Sequence, residues 1–192
     1  ATASATAKTE VYNTVSGYTT NKSLGYFYVN EGFGQDGDVT INALTPGTQP
    51  SSIATIYDTY IYGQNIAINS TINHKLTSAG GINQNSYLEV YASKSLTTTA
   101  DVGAGYYVYL ENEGTGATTI GGNVISDTDK SGGGGIYVTS DGKNAPMTVA
   151  GNLTSYADDI NVYANGPLTV SGNVSAPSAS ITVYNSGTAS GN

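Results

Sequence analysis

The feature that most limits what this chain can fold into is a phrase that returns near its end. It reads Thr118-Thr-Ile-Gly-Gly-Asn-Val124, then Met147-Thr-Val-Ala-Gly-Asn-Leu153, then Leu168-Thr-Val-Ser-Gly-Asn-Val174. Each copy is followed by a second short apolar stretch: Gly135-Ile-Tyr-Val-Thr-Ser-Asp-Gly142, Ile160-Asn-Val-Tyr-Ala-Asn-Gly166 and Ile181-Thr-Val-Tyr-Asn-Ser-Gly187. A unit of two short strands and a turn, repeated at roughly 20–30 residues, marks a stacked β architecture. The expected fold is all-β. It is a β-solenoid of stacked arches with two short strands per rung, six to seven irregular rungs and no helical domain.

No segment carries a convincing 3.6-residue apolar period, and Gly, Asn, Asp and Pro punctuate the alternating stretches. Residues 1–9 read as a small-residue arm, and 10–192 as a single domain. A first rung runs from about Glu10 to Gly32 and contains Tyr26-Phe-Tyr-Val29. The second spans Val39-Thr-Ile41 to Tyr60-Ile-Tyr-Gly63, and the third Ile66-Ala-Ile68 to Leu88-Glu-Val-Tyr91. A fourth begins near Leu96 and contains Tyr106-Tyr-Val-Tyr-Leu110.

Side chains alternate across a strand, which gives each rung two faces. In the repeated phrase, Val149, Gly151 and Leu153 share the expected inner face of one strand. Val170, Gly172, Val174 and Ile120, Gly122, Val124 repeat that choice. In the second strand Ile160 and Val162, Ile181 and Val183, and Ile136 and Val138 face inward. Outward they leave Tyr109, Tyr137, Tyr163 and Tyr184. Stacked ~4.8 Å apart, these four form an expected assembly stripe, extended by Tyr28, Tyr62 and Tyr91. Tyrosine also favours strands in general, so a plain sheet covering and a lateral contact surface both fit.

Composition excludes several functions. The 192 residues carry 14 acids against six lysines, no arginine, and a net charge of −8. Phosphate binding relies on clustered Lys and Arg, so nucleic acid is not an expected partner. A polybasic membrane contact is excluded likewise. No apolar run reaches the ~18–20 residues that span a bilayer, so no membrane insertion is expected. There is no cysteine for disulfides or thiolate metal sites. The start, Ala-Thr-Ala-Ser-Ala-Thr-Ala, reads as a mature N-terminus after signal cleavage or as a boundary made by truncation. Low charge with abundant Ser, Thr, Asn and Tyr suits an extracellular, cell-surface protein.

Candidates for chemistry are few. Asp127, Asp129 and Ser131, followed by Gly132, have the spacing of the front half of a calcium loop. The acid due at its twelfth position is replaced by Val138. A solvated turn explains the same residues, and no other cofactor is expected. Asp158-Asp159 reads as a turn. The run Gly132 to Gly135 lacks the lysine and helix of a phosphate loop, so it reads as a flexible or tightly packed turn. His74, the single histidine, has no nucleophile elbow near it. Glu111 and Glu113 are the one close glutamate pair and read as the end of a strand rather than a glycosidase pair. The chain is not expected to be an enzyme. Asn21, Asn69, Asn152 and Asn173 fit the N-glycosylation acceptor pattern. A chain this rich in Asn, Ser and Thr reaches that count by chance. Two of them follow the repeated Gly-Asn step.

The Thr-Val-x-Gly-Asn-Val…Ile-x-Val-Tyr repeat over 118–187 resembles β-solenoid cell-surface proteins. With its cysteine-free, Tyr/Gly/Asn-rich acidic character it looks most like the tubular sheath proteins of methanogenic archaea. That resemblance implies amyloid-like stacked-β tubes around cells. The last rung is one of the best repeats, with only Thr188-Ala-Ser-Gly-Asn192 after it. A regular rung without a cap is a template for another chain. The expectation is therefore a structural subunit that self-assembles by β stacking into a filament, tube or sheath, with copies of itself as partners. The alternative is a monomeric adhesin that binds cell-surface glycans through the tyrosine stripe.

Overall fold

The computed structural model describes residues 27–29, 37–42, 52–54, 58–73, 86–126 and 134–187. Within them the protein is all-β, with 17 strands and no helix. Every strand pairing is parallel. Parallel neighbours cannot be joined by a hairpin, so each strand must find its partner one circuit of the chain away.

The strands fall into three columns. The first holds β1 (Phe27–Val29), the first part of β4 (Thr59–Asn69) and the first part of β6 (Tyr87–Thr98). It continues through β8 (Tyr107–Asn112), β11 (Ile136–Ser140), β14 (Ile160–Ala164) and β17 (Ile181–Asn185). The second holds β2 (Val39–Asn42), the second parts of β4 and β6, β9 (Thr118–Ile120), β12 (Met147–Val149) and β15 (Leu168–Val170). The third holds β3 (Ser52–Ala54), β5 (Thr71–Asn73), β7 (Val102–Gly103), β10 (Val124–Ser126), β13 (Leu153–Ser155) and β16 (Val174–Ser175). Because β4 and β6 run unbroken through two columns, the first two columns form one 11-stranded sheet, and the third is a separate six-stranded sheet. β4 and β6 pass the bend with a register shift between Gly63 and Asn65, the extra residue of a bulge turning the strand.

The chain visits the columns in the same order throughout. Each circuit therefore crosses three columns, with two strands where β4 or β6 runs through the first bend and three strands from β8 onward, where the sequence predicts two. The difference lies in the repeated phrase. Val149, Gly151 and Leu153 are all buried, as expected, but they do not share a strand. β12 stops at Val149, β13 starts at Leu153, and the chain bends through 150–152. The copies at 121–123 and 171–173 bend at the same place.

The corner is built from small residues because backbone passes close to backbone there. A Cβ on Gly151 would run into the Gly122 carbonyl, one on Gly172 into the Gly151 carbonyl, and one on Gly122 into the Ala100 carbonyl. The amides of Ala150 and Gly151 both donate to the Ile120 carbonyl, at 2.8 and 3.1 Å. On the outside the asparagines form a ladder. The backbone N–H and Nδ2 of Asn123 donate to Asp101 Oδ1, at 2.8 and 3.0 Å. Those of Asn152 donate to Asn123 Oδ1 at 3.1 and 2.9 Å, and the Asn173 N–H donates to Asn152 Oδ1 at 2.9 Å. Stacked amides of this kind reinforce a cross-β register. Asn152→Ala removes the middle of the ladder. The expected cost is about 1 kcal/mol, read as a thermal midpoint lowered by roughly 2–4 °C.

Corner length differs by place. From 99–101 onward, the bend between second and third columns is always three residues. Among the described residues, the return from third to first column is three residues at 104–106, four at 156–159 and five at 176–180.

Inward residues of all three columns meet in one apolar core. Val108, Ile136 and Ile160 stack in register, as do Leu110, Val138 and Val162, and all are buried. Val124 and Leu153 stack in the third column. A minority of buried positions is polar, and three of these bond to one another: Asn112 Nδ2 donates to the Gly116 carbonyl at 2.9 Å and to Thr118 Oγ1 at 3.1 Å, and Thr118 Oγ1 donates to Ser140 Oγ at 3.1 Å. Such pairing is what lets polar groups stay in the interior.

Candidate functional site

The outward face of the first column carries most of the described tyrosines, but in two rows rather than one stripe. Tyr60, Glu89, Tyr109, Tyr137 and Asn161 share one register row. Tyr62, Tyr91, Glu111, Thr139, Tyr163 and Tyr184 share the row two residues along. The four residues of the expected stripe are thus divided into Tyr109–Tyr137 and Tyr163–Tyr184. Unequal circuits cause this: 28 residues separate Tyr109 from its partner Tyr137, and 24 separate Tyr137 from Asn161. Sequence spacing alone does not fix register when corner lengths vary. Tyr28 falls in register with Tyr60.

The rings still touch. Tyr62 and Tyr91 stack with centroids 5.2 Å apart and planes 1° from parallel. Contact then steps diagonally between the rows, from Tyr91 to Tyr109 at 5.3 Å, and passes along to Tyr137 at 6.1 Å. Tyr163 and Tyr184 stack separately at 5.4 Å. All lie in the range of favourable aromatic pairs. Beside this line, Tyr87 meets Tyr106 and Tyr107 edge to face, at 5.2 and 4.7 Å. Tyr91, Tyr106, Tyr107, Tyr109, Tyr137 and Gly135 enclose an open groove of about 430 Å³. Gly134 and Gly135 are explained by packing: a Cβ on either would strike the backbone of Tyr106 or Asp159.

The groove is acidic. The Tyr107 hydroxyl donates to Glu89 Oε1. Burial raises the Glu89 carboxyl above its ordinary range, and Asp58 adds to this. Burial likewise raises Glu111, with Asp141 and Glu113 adding negative charge nearby. Tyr109 is pushed up to about 12 by burial and then by Glu111, and Tyr91 is also raised, by burial first and Glu89 second. The folded protein therefore holds the Glu89 and Glu111 protons to higher pH than the unfolded chain does. Their contribution to stability is complete below the ordinary glutamate value, about 4.3, and is lost as pH rises through the raised values. Lowering the pH from 7 to about 5 is expected to raise the thermal midpoint, and Glu111→Gln should flatten that rise. A midpoint insensitive to pH in this window contradicts the assignment.

Other expected sites fare differently. Asp127, Asp129, Ser131, His74 and Asn21, with Gly132 and residues 1–9, lie outside the described residues. Asp158-Asp159 is a turn: the Asp159 N–H donates to Asp158 Oδ1 at 2.7 Å, and Asp159 Oδ1 accepts from the Ser180 N–H at 2.8 Å. Asn152 and Asn173 are rungs of the amide ladder, and Asn69 Oδ1 accepts from Thr99 Oγ1 at 2.8 Å. Glu111 lies in the tyrosine face, inside β8 rather than in a turn.

A second candidate surface is the edge of the last described circuit. The Val108 N–H donates to the Gly135 carbonyl, Ile136 to Asp159 and Ile160 to Ser180, at 3.0, 2.9 and 2.9 Å. These inward residues of each column-one strand thus donate toward the next strand of the same column, one circuit later. Continuing that alternation, the N–H groups of Ile181 and Val183 point away from β14. Ile181 and Val183 are 46% and 49% exposed, whereas their register partners Ile160 and Val162 are 0% and 1% exposed. The inward positions of β17 are therefore inward in direction only.

The chain matches no family model, no curated protein and no solved structure.

Proposed function

We propose that the three columns form a β-solenoid, and that the protein is a non-catalytic structural subunit. Copies stack through their strand edges into an extracellular filament, tube or sheath at the cell surface. The likeness of the repeat to archaeal sheath proteins belongs to this proposal. The observation that carries it is the open edge at β15, β16 and β17. There the core ladders of the described residues continue into Ile181 and Val183, which stay about half exposed. Unpaired edges of regular strands are templates for further pairing, and identical stacked rungs repeat their contacts at each added layer.

The energetics favour growth once an edge is matched. Full burial of a Val or Ile side chain stabilises by roughly 1.5–3 kcal/mol, so covering these half-exposed residues gives about half of that each. Each new backbone hydrogen bond adds about 1 kcal/mol net. The acidic, arginine-free surface keeps separate copies apart until such register-specific contacts form.

The test is electron microscopy of purified protein at rising concentration, together with fibre diffraction. Elongated polymers with a meridional spacing of ~4.8 Å are expected. A protein that stays monomeric at high concentration overturns the proposal and returns the monomeric surface adhesin.

A further inference from the structure

The groove in the tyrosine face is a candidate for ligand binding, whichever way the subunits assemble. Its walls are ring faces set at different angles. Tyr91, Tyr109 and Tyr137 tilt successively by 35°, while Tyr106 and Tyr107 stand at 65° to each other. A flat ligand prefers parallel platforms. Tyrosine rings set at several angles around one space are instead the arrangement of aromatic cages for cations.

The charge around the groove has one sign. Glu89 is bonded to Tyr107 and lies beside Tyr109 in register. Glu111 lies beside Tyr91. The charged groups acting on Glu89, Glu111 and Tyr137 are Asp58, Asp141, Glu113, Asp158 and Asp159, with no lysine among them. A cation in the groove would relieve this crowding, whereas a neutral sugar would not. The volume, about 430 Å³, falls within the range of small-molecule sites.

We propose that the groove formed by Tyr91, Tyr106, Tyr107, Tyr109 and Tyr137 binds an organic ammonium cation, held against the rings and flanked by Glu89 and Glu111.

The chain has no tryptophan, so its ultraviolet fluorescence comes from its 16 tyrosines, five of which line the groove. Choline chloride is titrated into the full chain at fixed ionic strength. The neutral isostere 3,3-dimethylbutan-1-ol and methyl β-D-glucoside are titrated in parallel. Saturable binding of choline is expected, with the neutral isostere about tenfold weaker or more. Tyr109→Leu and Glu89→Gln should each weaken choline binding severalfold while circular dichroism stays native. Tyr137→Ser, at the exposed end of the groove, is a second ring variant should Tyr109→Leu not fold. Equal binding of the neutral isostere, binding of the glucoside in place of choline, or unchanged affinity in a folded ring variant overturns the proposal. Because the titration is also run on Val183→Pro, its failure is separable from any failure of assembly.

Discussion

Replacing Val183 with proline is expected to abolish end-to-end assembly while leaving the subunit folded. Proline lacks an N–H and cannot donate to a ladder, yet it is tolerated on an edge strand where that N–H faces away from the sheet. In β17 the alternation of donors places the Val183 N–H on the open side, so no bond to β14 is lost. Circular dichroism and the thermal midpoint should stay near wild type, and microscopy should show no polymers at concentrations where the wild type forms them. Thr182→Pro is the reverse control. It removes an N–H on the side facing β14, so it should loosen the last circuit. Polymers of Val183→Pro in wild-type yield would sink the stacking mechanism.

The second large effect is expected inside the subunit. Gly151→Ala adds one methyl group where the Gly122 carbonyl already occupies the space. The residue does not have a positive φ, so the cost is steric rather than conformational. Both sides of the clash are backbone, with the Ala150 and Gly151 N–H groups donating to the Ile120 carbonyl and the Gly121 N–H to the Thr98 carbonyl, so no flexible side chain can give way. Overpacking of this kind costs about 1–3 kcal/mol, which lowers the thermal midpoint by roughly 3–10 °C in a chain of this size. Ala150→Ser, at an exposed neighbouring position, should stay within about 0.5 kcal/mol of wild type. A Gly151→Ala protein that melts with the wild type would show that the corner can relax.

The repeated phrase made the all-β class, the inward Val and Ile positions and the two best strand columns readable before any coordinates. The third column was hidden because Val149-x-Gly151-x-Leu153 keeps perfect alternation across a bend. A period of two cannot distinguish one strand from two strands meeting at a glycine. The Gly-Asn pair at the middle of each copy was the available signal, since glycine in a strand interior marks a bend or a close backbone approach. Register was the second thing hidden. Tyr109 and Tyr137 sit between the two inward residues of their strands, whereas Tyr163 and Tyr184 follow the second, so pairing Ile136 with Ile160 and Ile181 splits the four into two rows. The groove is harder still to foresee, because it joins β6, β8 and β11 through ring contacts that sequence order does not encode.

The constant bend at Gly-Asn and the elastic return from third to first column divide the molecule's perimeter into a fixed side and a permissive side. One residue inserted at 150–152 would break the glycine stack and carry every later strand out of line. The return at 156–159 joins the same two columns that are joined by three residues at 104–106 and by five at 176–180. A foreign peptide spliced there would be displayed along one flank without disturbing the packing behind it. If the subunits polymerise, that flank becomes a straight rail on which cargo repeats once per subunit.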